Sequence, residues 1–149
     1  LIMKKIVMAS DHAGFDLKNT LVEQLKNDGY EVEDAGTYSK DSCDYPVFAE
    51  KACRYMLDGK AELCILVCGT GIGMSMAANK VKGIRAACCS DTYSAKYTRL
   101  HNDANVLCMG ARVVGEGLAY EIAKVFLETE FEGGKYLRRI NMISDLENK

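Results

Sequence analysis

The sequence predicts an α/β fold in which five parallel strands alternate with helices. Short apolar runs rich in branched residues alternate along the chain with segments of helical period. One run, Leu63-Cys64-Ile65-Leu66-Val67-Cys68, is apolar throughout, as expected for a central strand covered on both faces. It breaks at once into Gly69-Thr70-Gly71-Ile72-Gly73.

The first strand is read over residues 4–9. A helix over 15–28 follows, with Leu17, Leu21 and Leu25 recurring at every fourth position and Gly29 ending it. A weaker second strand covers 31–35. After a polar loop, Pro46 at a first helical position opens a helix whose Phe48, Ala52, Tyr55 and Met56 share a face until Gly59. The third strand is 63–68. A helix over 74–79, a fourth strand over 84–89 and a helix from the N-cap Asp91 to His101 come next. The fifth strand is 106–109, and the helix over 116–128 is expected to turn Leu118, Ile122, Val125 and Phe126 inward. Beyond Gly133-Gly134 a last amphipathic helix presents Leu137, Ile140, Ile143 and Leu146. With no strand after it, its apolar face is expected to pack on a neighbouring subunit.

The chain of 149 residues carries 19 basic and 21 acidic side chains, a net charge of −2, and is 48% apolar. These values suit a single domain, residues 1–149, with a real core. The two charge signs are interspersed, which excludes the basic footprint of a nucleic-acid or membrane-surface binder and leaves a small molecule as the expected partner. No apolar stretch approaches the roughly 20 residues of a membrane span. Seven cysteines form no C-x-x-C pair, and their odd number argues against a disulfide or zinc framework. Cys64, Cys68, Cys88, Cys89 and Cys108 lie in or beside apolar runs and read as free thiols of a reducing, cytoplasmic compartment. Leu1 and Ile2, ahead of Met3, read as an extension or an alternative start.

Parallel sheets bind ligands beyond the carboxyl ends of their strands. If strands one and three are neighbours, Ser10-Asp11-His12-Ala13-Gly14 faces Cys68-Gly69-Thr70-Gly71-Ile72-Gly73 across one crevice. The glycine-rich turn suits an oxyanion, because the backbone can approach closely and free N–H groups point outward. It lacks the phosphate-loop lysine, and its G-x-G-x-G spacing is not the dinucleotide fingerprint. Cys68 reads either as the last core residue of its strand, like Cys64 and Cys88, or as a base or nucleophile beside the positive end of a helix. His12 and His101, the only histidines, suit proton transfer, or else a satisfied loop residue and a helix C-terminal charge. Arg85 and Arg99 read as solvated surface. Arg112, with Lys135, Arg138 and Arg139, is a candidate set for a phosphate dianion.

The turns just quoted, with Asp44-Tyr45-Pro46, Ala77-Ala78-Asn79-Lys80, Gly83-Ile84-Arg85-Ala86, His101-Asn102-Asp103-Ala104-Asn105-Val106-Leu107 and Gly110-Ala111-Arg112-Val113-Val114-Gly115, resemble the type B ribose-5-phosphate isomerases in order and spacing. These belong to a sugar-phosphate isomerase family that also contains galactose-6-phosphate and allose-6-phosphate isomerases. The resemblance implies a three-layer α/β/α Rossmann-like sandwich with an extra C-terminal helix. It implies a homodimer, or a tetramer, with active sites shared between subunits, and no cofactor or metal. Cys68 would abstract the proton, His101 from the partner would open the furanose ring, and Thr70 would join them in the catalytic set. Asp11, His12, Gly69, Gly71, Ile72, Gly73 and Asn102 would line the sugar, with Tyr45 nearby. Arg112 and Arg139 would hold phosphate, beside Lys135 at a position often arginine in the family. The alternatives are a hexose phosphate such as allose 6-phosphate as substrate, and a noncatalytic phosphate- or nucleotide-binding module.

Overall fold

The computed structural model describes residues 4–149, so the extension at Leu1 and Ile2 lies outside the described residues. The chain runs β1 (Lys5–Ser10), α1 (Phe15–Asn27), β2 (Glu31–Asp34), α2 (Tyr45–Tyr55), β3 (Leu63–Cys68), α3 (Ile72–Ala78), β4 (Ala86–Cys88), α4 (Thr92–Asn102), β5 (Val106–Gly110), α5 (Glu116–Glu128) and α6 (Lys135–Asp145). All strands are parallel, in the order β2-β1-β3-β5-β4. Strands one and three are therefore neighbours, with Ser10 paired to Val67.

Two apolar layers flank the sheet. Ile6, Met8, Ile65, Val67, Leu107 and Met109 pack against Leu21 and Leu25 of α1, Ala95 of α4, and Ile122 and Phe126 of α5. The alternate residues Val7, Ala9, Cys64, Leu66 and Cys108 pack against Ala49, Ala52 and Cys53 of α2, and Met74 and Ala78 of α3. This is the expected α/β/α sandwich. No helix among the described residues is long and apolar enough to cross a membrane.

Several expectations need correction. Leu118 is 40% exposed, because Ala119, Ile122, Ala123 and Phe126 form the buried face of α5. Helix α3 starts at Ile72, which brings Gly73 inside its first turn. Arg99 is buried: its Nη1 donates to the Ala104 carbonyl at 2.6 Å and to Asp103 at 2.8 Å, and its Nε donates to the Thr129 carbonyl at 3.1 Å. Arg85 is half-buried and donates to the carbonyls of Asn102 and Asp103. Cys88 is exposed, whereas Cys64 is fully enclosed. Strand β4 is shorter than its apolar run because the Ile84 N–H turns onto the Val81 carbonyl and the Arg85 N–H goes to the Asn105 side chain. Asn79 donates to the Ala86 carbonyl and accepts its N–H, while Asn105 does the same for Gly83 and Arg85. Capping an edge strand in this way also blunts it against pairing with another chain.

Lys18 on α1 is a fully buried cation. Its ammonium donates to both Asp34 carboxylate oxygens, at 2.9 and 2.7 Å, and to the Thr37 carbonyl at 2.9 Å. Removing the partner of a buried charge is far costlier than the net worth of the pair. Asp34→Asn is therefore expected to lower stability by about 3 kcal/mol, read as a reduced urea midpoint at unchanged m-value.

Candidate active site

The crevice lies where connections leave the sheet in opposite directions: β1 leads outward to β2, and β3 toward β5 and β4. On the β1 side, the Asp11 amide donates to the Val67 carbonyl at 3.2 Å, and the Asp11 carboxylate accepts the Gly14 N–H at 3.0 Å. This closes a tight turn against the end of β3. Only glycine fits at position 14, since a Cβ would stand inside the contact radius of the Val67 carbonyl oxygen. His12, in the same turn, accepts the Cys43 N–H at Nδ1 at 3.2 Å.

On the β3 side, Cys68 is 5% exposed, and its Sγ accepts the Gly71 N–H at 3.1 Å. Gly71 has φ +82°, and a Cβ there would lie 2.8 Å from the Met109 carbonyl carbon, so the turn is both left-handed and pressed onto β5. The Thr70 hydroxyl accepts the Ile72 N–H at 3.2 Å. The next amides, Gly73 and Met74, open α3, where backbone donors have no intrahelical acceptor. The turn thus holds the Cys68 thiol on the Gly71 N–H, at the start of α3. Tyr45, at the start of α2, lies against Gly73, whose Cβ would stand 2.7 Å from the tyrosine ring. Arg112, in the turn after β5, anchors its N–H on the Gly69 carbonyl at 3.0 Å. Its exposed guanidinium lies over Gly69, with Nη1 3.4 Å from a Cβ built there.

The neighbouring thiols differ in kind. Burial pushes Cys64 and Cys108 well above the ordinary thiol range, which leaves them inert apolar groups. Burial also raises Cys88, whose Sγ lies 3.6 Å from the Thr70 carbonyl.

The remaining predicted residues lie at the other end of the molecule. Helix α4 leaves the carboxyl end of β4 and runs back, which sets His101 and Asn102 beside the amino end of β5. The His101 ring stacks on Tyr136 of α6 at 4.1 Å between centroids, meets Tyr97 edge-on at 5.1 Å, and has Nε2 3.6 Å from a Glu132 carboxylate oxygen. Lys135 lies over the Tyr136 ring at 5.3 Å, and Arg139 is exposed on the same helix. Cys68 pairs with Gly110 at the opposite end of β5. With about 3.3 Å of rise per residue, β5 alone separates the two groups by roughly 13 Å along the strand. Within one chain Asp11, His12, Tyr45, Cys68, the glycine turn and Arg112 come together, whereas His101, Asn102, Lys135 and Arg139 do not join them.

A cavity of about 720 Å³ opens between the edge strand β4 and α6, lined in part by Arg85, Ala86, Asn102, Ile143 and Leu146. It lies on the His101 side and holds none of the Cys68 turn. On α6, Ile140 is buried while Leu137 and Ile143 are exposed, as is Leu146 just beyond its end. Sequence reasoning singled out neither Glu132 and Tyr136 nor Cys43. Tyr93, Tyr97 and His101, four residues apart on α4, form a ladder of rings that ends on Tyr136.

The fold and this crevice define an α/β protein with a thiol and a glycine-rich turn at a sheet switch point. A family profile described as Ribose/Galactose Isomerase matches residues 6–143, and the chain belongs to this family. It is 46% identical over 147 residues to ribose-5-phosphate isomerase B of Escherichia coli, covering 99% of each chain. It is also 44% identical over 151 residues to a D-erythrulose-4-phosphate isomerase of Pectobacterium atrosepticum, covering 99% of this chain and 97% of that one. The structure of ribose-5-phosphate isomerase B from Clostridium thermocellum superposes with a TM-score of 0.95 at 46% identity, covering 97% of both chains.

Proposed function

We propose that this chain, acting as one sugar-phosphate isomerase domain, interconverts ribose 5-phosphate and ribulose 5-phosphate with Cys68 as the base. The observation that carries the reading is the Cys68 sulfur held at 3.1 Å by the Gly71 N–H inside the glycine turn. That donor fixes the sulfur at the end of β3, beside the amides that open α3.

The chemistry then runs in two stages. In the first, His101 takes the proton from the C1 hydroxyl and returns it to the ring oxygen. The bond between C1 and the ring oxygen breaks, and C1 becomes an aldehyde. In the second, the Cys68 thiolate removes the proton from C2. The electron pair forms the C1–C2 double bond, and O1 takes the negative charge, facing the Gly73 and Met74 amides. The O2 hydroxyl proton passes to O1 as the Cys68 thiol returns its proton to C1, so the C1–C2 electron pair becomes the C1–H bond and C2 becomes the ketone. One base serves both half-reactions, so the scheme requires neither a metal nor an organic cofactor.

The separation of His101 from Cys68 along β5 supports a homodimer, or a tetramer built from it, in which each site takes His101 and Asn102 from the neighbour. The exposed apolar face of α6 supports the same assembly. Arg112 of one subunit would then meet Lys135 and Arg139 of the other around the phosphate. Lysine at 135 keeps the charge but lacks the planar fork of arginine. Seven free cysteines favour a reducing, cytoplasmic setting.

The test is an isomerase assay with chelator present on ribose 5-phosphate, allose 6-phosphate and D-erythrulose 4-phosphate. The reading expects the highest kcat/KM on ribose 5-phosphate and no chelator sensitivity. A preference for the six-carbon sugar would reassign the substrate, and loss of activity with chelator would refute the single-base scheme.

A further inference from the structure

The segment that joins α4 to β5 holds one residue in an uncommon backbone state. Asp103, directly after His101 and Asn102, has φ +44°, the one positive φ outside glycine among the described residues. A residue with a Cβ keeps that left-handed conformation where its surroundings hold it. Here two guanidinium groups do so. Arg99 donates to one Asp103 carboxylate oxygen at 2.8 Å, and Arg85 Nη2 lies 3.4 Å from the other. Arg85 also turns its Nε onto the main chain, donating to the Asn102 carbonyl at 3.2 Å and the Asp103 carbonyl at 2.9 Å.

The two arginines differ in what depends on them. Arg99 is buried, and its other bonds tie the Ala104 carbonyl to that of Thr129 at the end of α5, so it belongs to the core. Arg85 is half-buried, and its guanidinium bonds are confined to the end of α4. Its own backbone is fixed at the sheet edge: the Arg85 N–H donates to Asn105 Oδ1 at 2.8 Å, and its carbonyl accepts the Asn105 N–H at 2.9 Å. The side chain therefore links that edge to carbonyls for which a helix end has no intrahelical donor. Without it those carbonyls turn to water, and the last turn of α4 frays while the core stays packed. His101 lies in that turn, and Asn102 shares with Arg85 the cavity beside α6.

We infer that Arg85 is a positioning residue for the isomerisation: it locks the end of α4 and so sets the angle at which His101 and Asn102 are offered to the neighbouring subunit's site. The inference rests on the isomerase reading and on the shared site.

Co-expressed variants test it. Arg85→Met keeps an apolar stem and removes the donors, so turnover of ribose 5-phosphate should fall about ten- to a hundred-fold, the cost of misplacing a reacting group by about 1 Å. In a mixed dimer with Cys68→Ala, one site combines Cys68 of the Arg85→Met chain with a correctly held His101. Activity should then rise to about a quarter of wild type under random pairing. With His101→Ala, the site that keeps both groups takes its His101 from the Arg85→Met chain, so activity should not exceed that of Arg85→Met alone. Recovery with His101→Ala but not with Cys68→Ala would place the defect in the Cys68 turn and overturn the inference. Turnover of Arg85→Met within about two-fold of wild type would overturn it as well. Should Arg85→Met not accumulate as a folded chain, Arg85→Lys, a point charge that cannot make all three guanidinium contacts at once, is read by the same pairings. The Cys68→Ala with His101→Ala pair is the control. Its failure to recover activity overturns the shared-site reading beneath the inference, whereas its recovery without recovery of the Cys68→Ala with Arg85→Met pair overturns the inference alone.

Discussion

Cys68→Ala is expected to lower kcat for ribose 5-phosphate by about 10³-fold or more while KM stays within a few fold. The asymmetry follows from what the side chain touches. Its sulfur accepts the Gly71 N–H and makes no other hydrogen bond among the described residues. Asp11 closes the β1 turn, Arg112 is anchored on the Gly69 carbonyl, and Gly71 is pressed onto β5, all independently of the thiol. Phosphate and hydroxyl contacts should survive, and the interaction lost exists only while a proton is in flight. Steady-state kinetics paired with calorimetric titration of ribose 5-phosphate checks both halves. A variant retaining most of its turnover would remove Cys68 from the mechanism.

The second large effect concerns subunit sharing. His101→Ala should cost about 10²-fold in turnover of cyclic ribose 5-phosphate. The loss should be much smaller starting from ribulose 5-phosphate, which has no free C5 hydroxyl with which to close a furanose ring onto its C2 ketone. Co-expressing Cys68→Ala and His101→Ala chains should then restore activity. In a mixed dimer one site receives Cys68 from one chain and His101 from the other, while the second site receives neither. With random pairing, about a quarter of wild-type activity is expected. If both residues served the site of their own chain, the mixture would show no recovery above the two variants.

How far the sequence went depends on which physical signal each element left. Strand β3 was legible to the residue because a strand buried on both faces has no alternation to confuse it with a surface helix. The apolar run at the fourth strand is longer than β4 because Ile84 is apolar for burial, not for pairing. The Ile84 N–H belongs to a turn onto the Val81 carbonyl, and Asn79 and Asn105 occupy the edge. Leu118 was placed inward by hydrophobicity, yet the small Ala119 and Ala123 mark the contact face of α5. Arg99 was read as surface because charge usually means solvent, whereas its guanidinium caps buried carbonyls.

The candidate site was legible where its chemistry is contiguous in the chain, in the turns after β1 and β3. The opposite placement of His101 was implicit in strand-then-helix order, since a crossover helix must return to the amino end of the sheet. Its aromatic and acidic neighbours Tyr136 and Glu132 lie beyond another helix and needed coordinates. The Cys43 contact sits in a polar loop without period, and no pattern marks which loop amide reaches a histidine in another turn.

The claim on which the rest depends is that the Cys68 sulfur faces the carbons between which hydrogen moves. A crystal structure of the wild-type protein with an open-chain sugar phosphate bound tests it most directly. The account predicts Sγ within about 3.5 Å of C1 and C2, the reach of a reacting pair. It also predicts O1 or O2 on the amides that open α3. A ligand seated with its first two carbons well beyond that reach, or on the far side of the glycine turn from the sulfur, would contradict it.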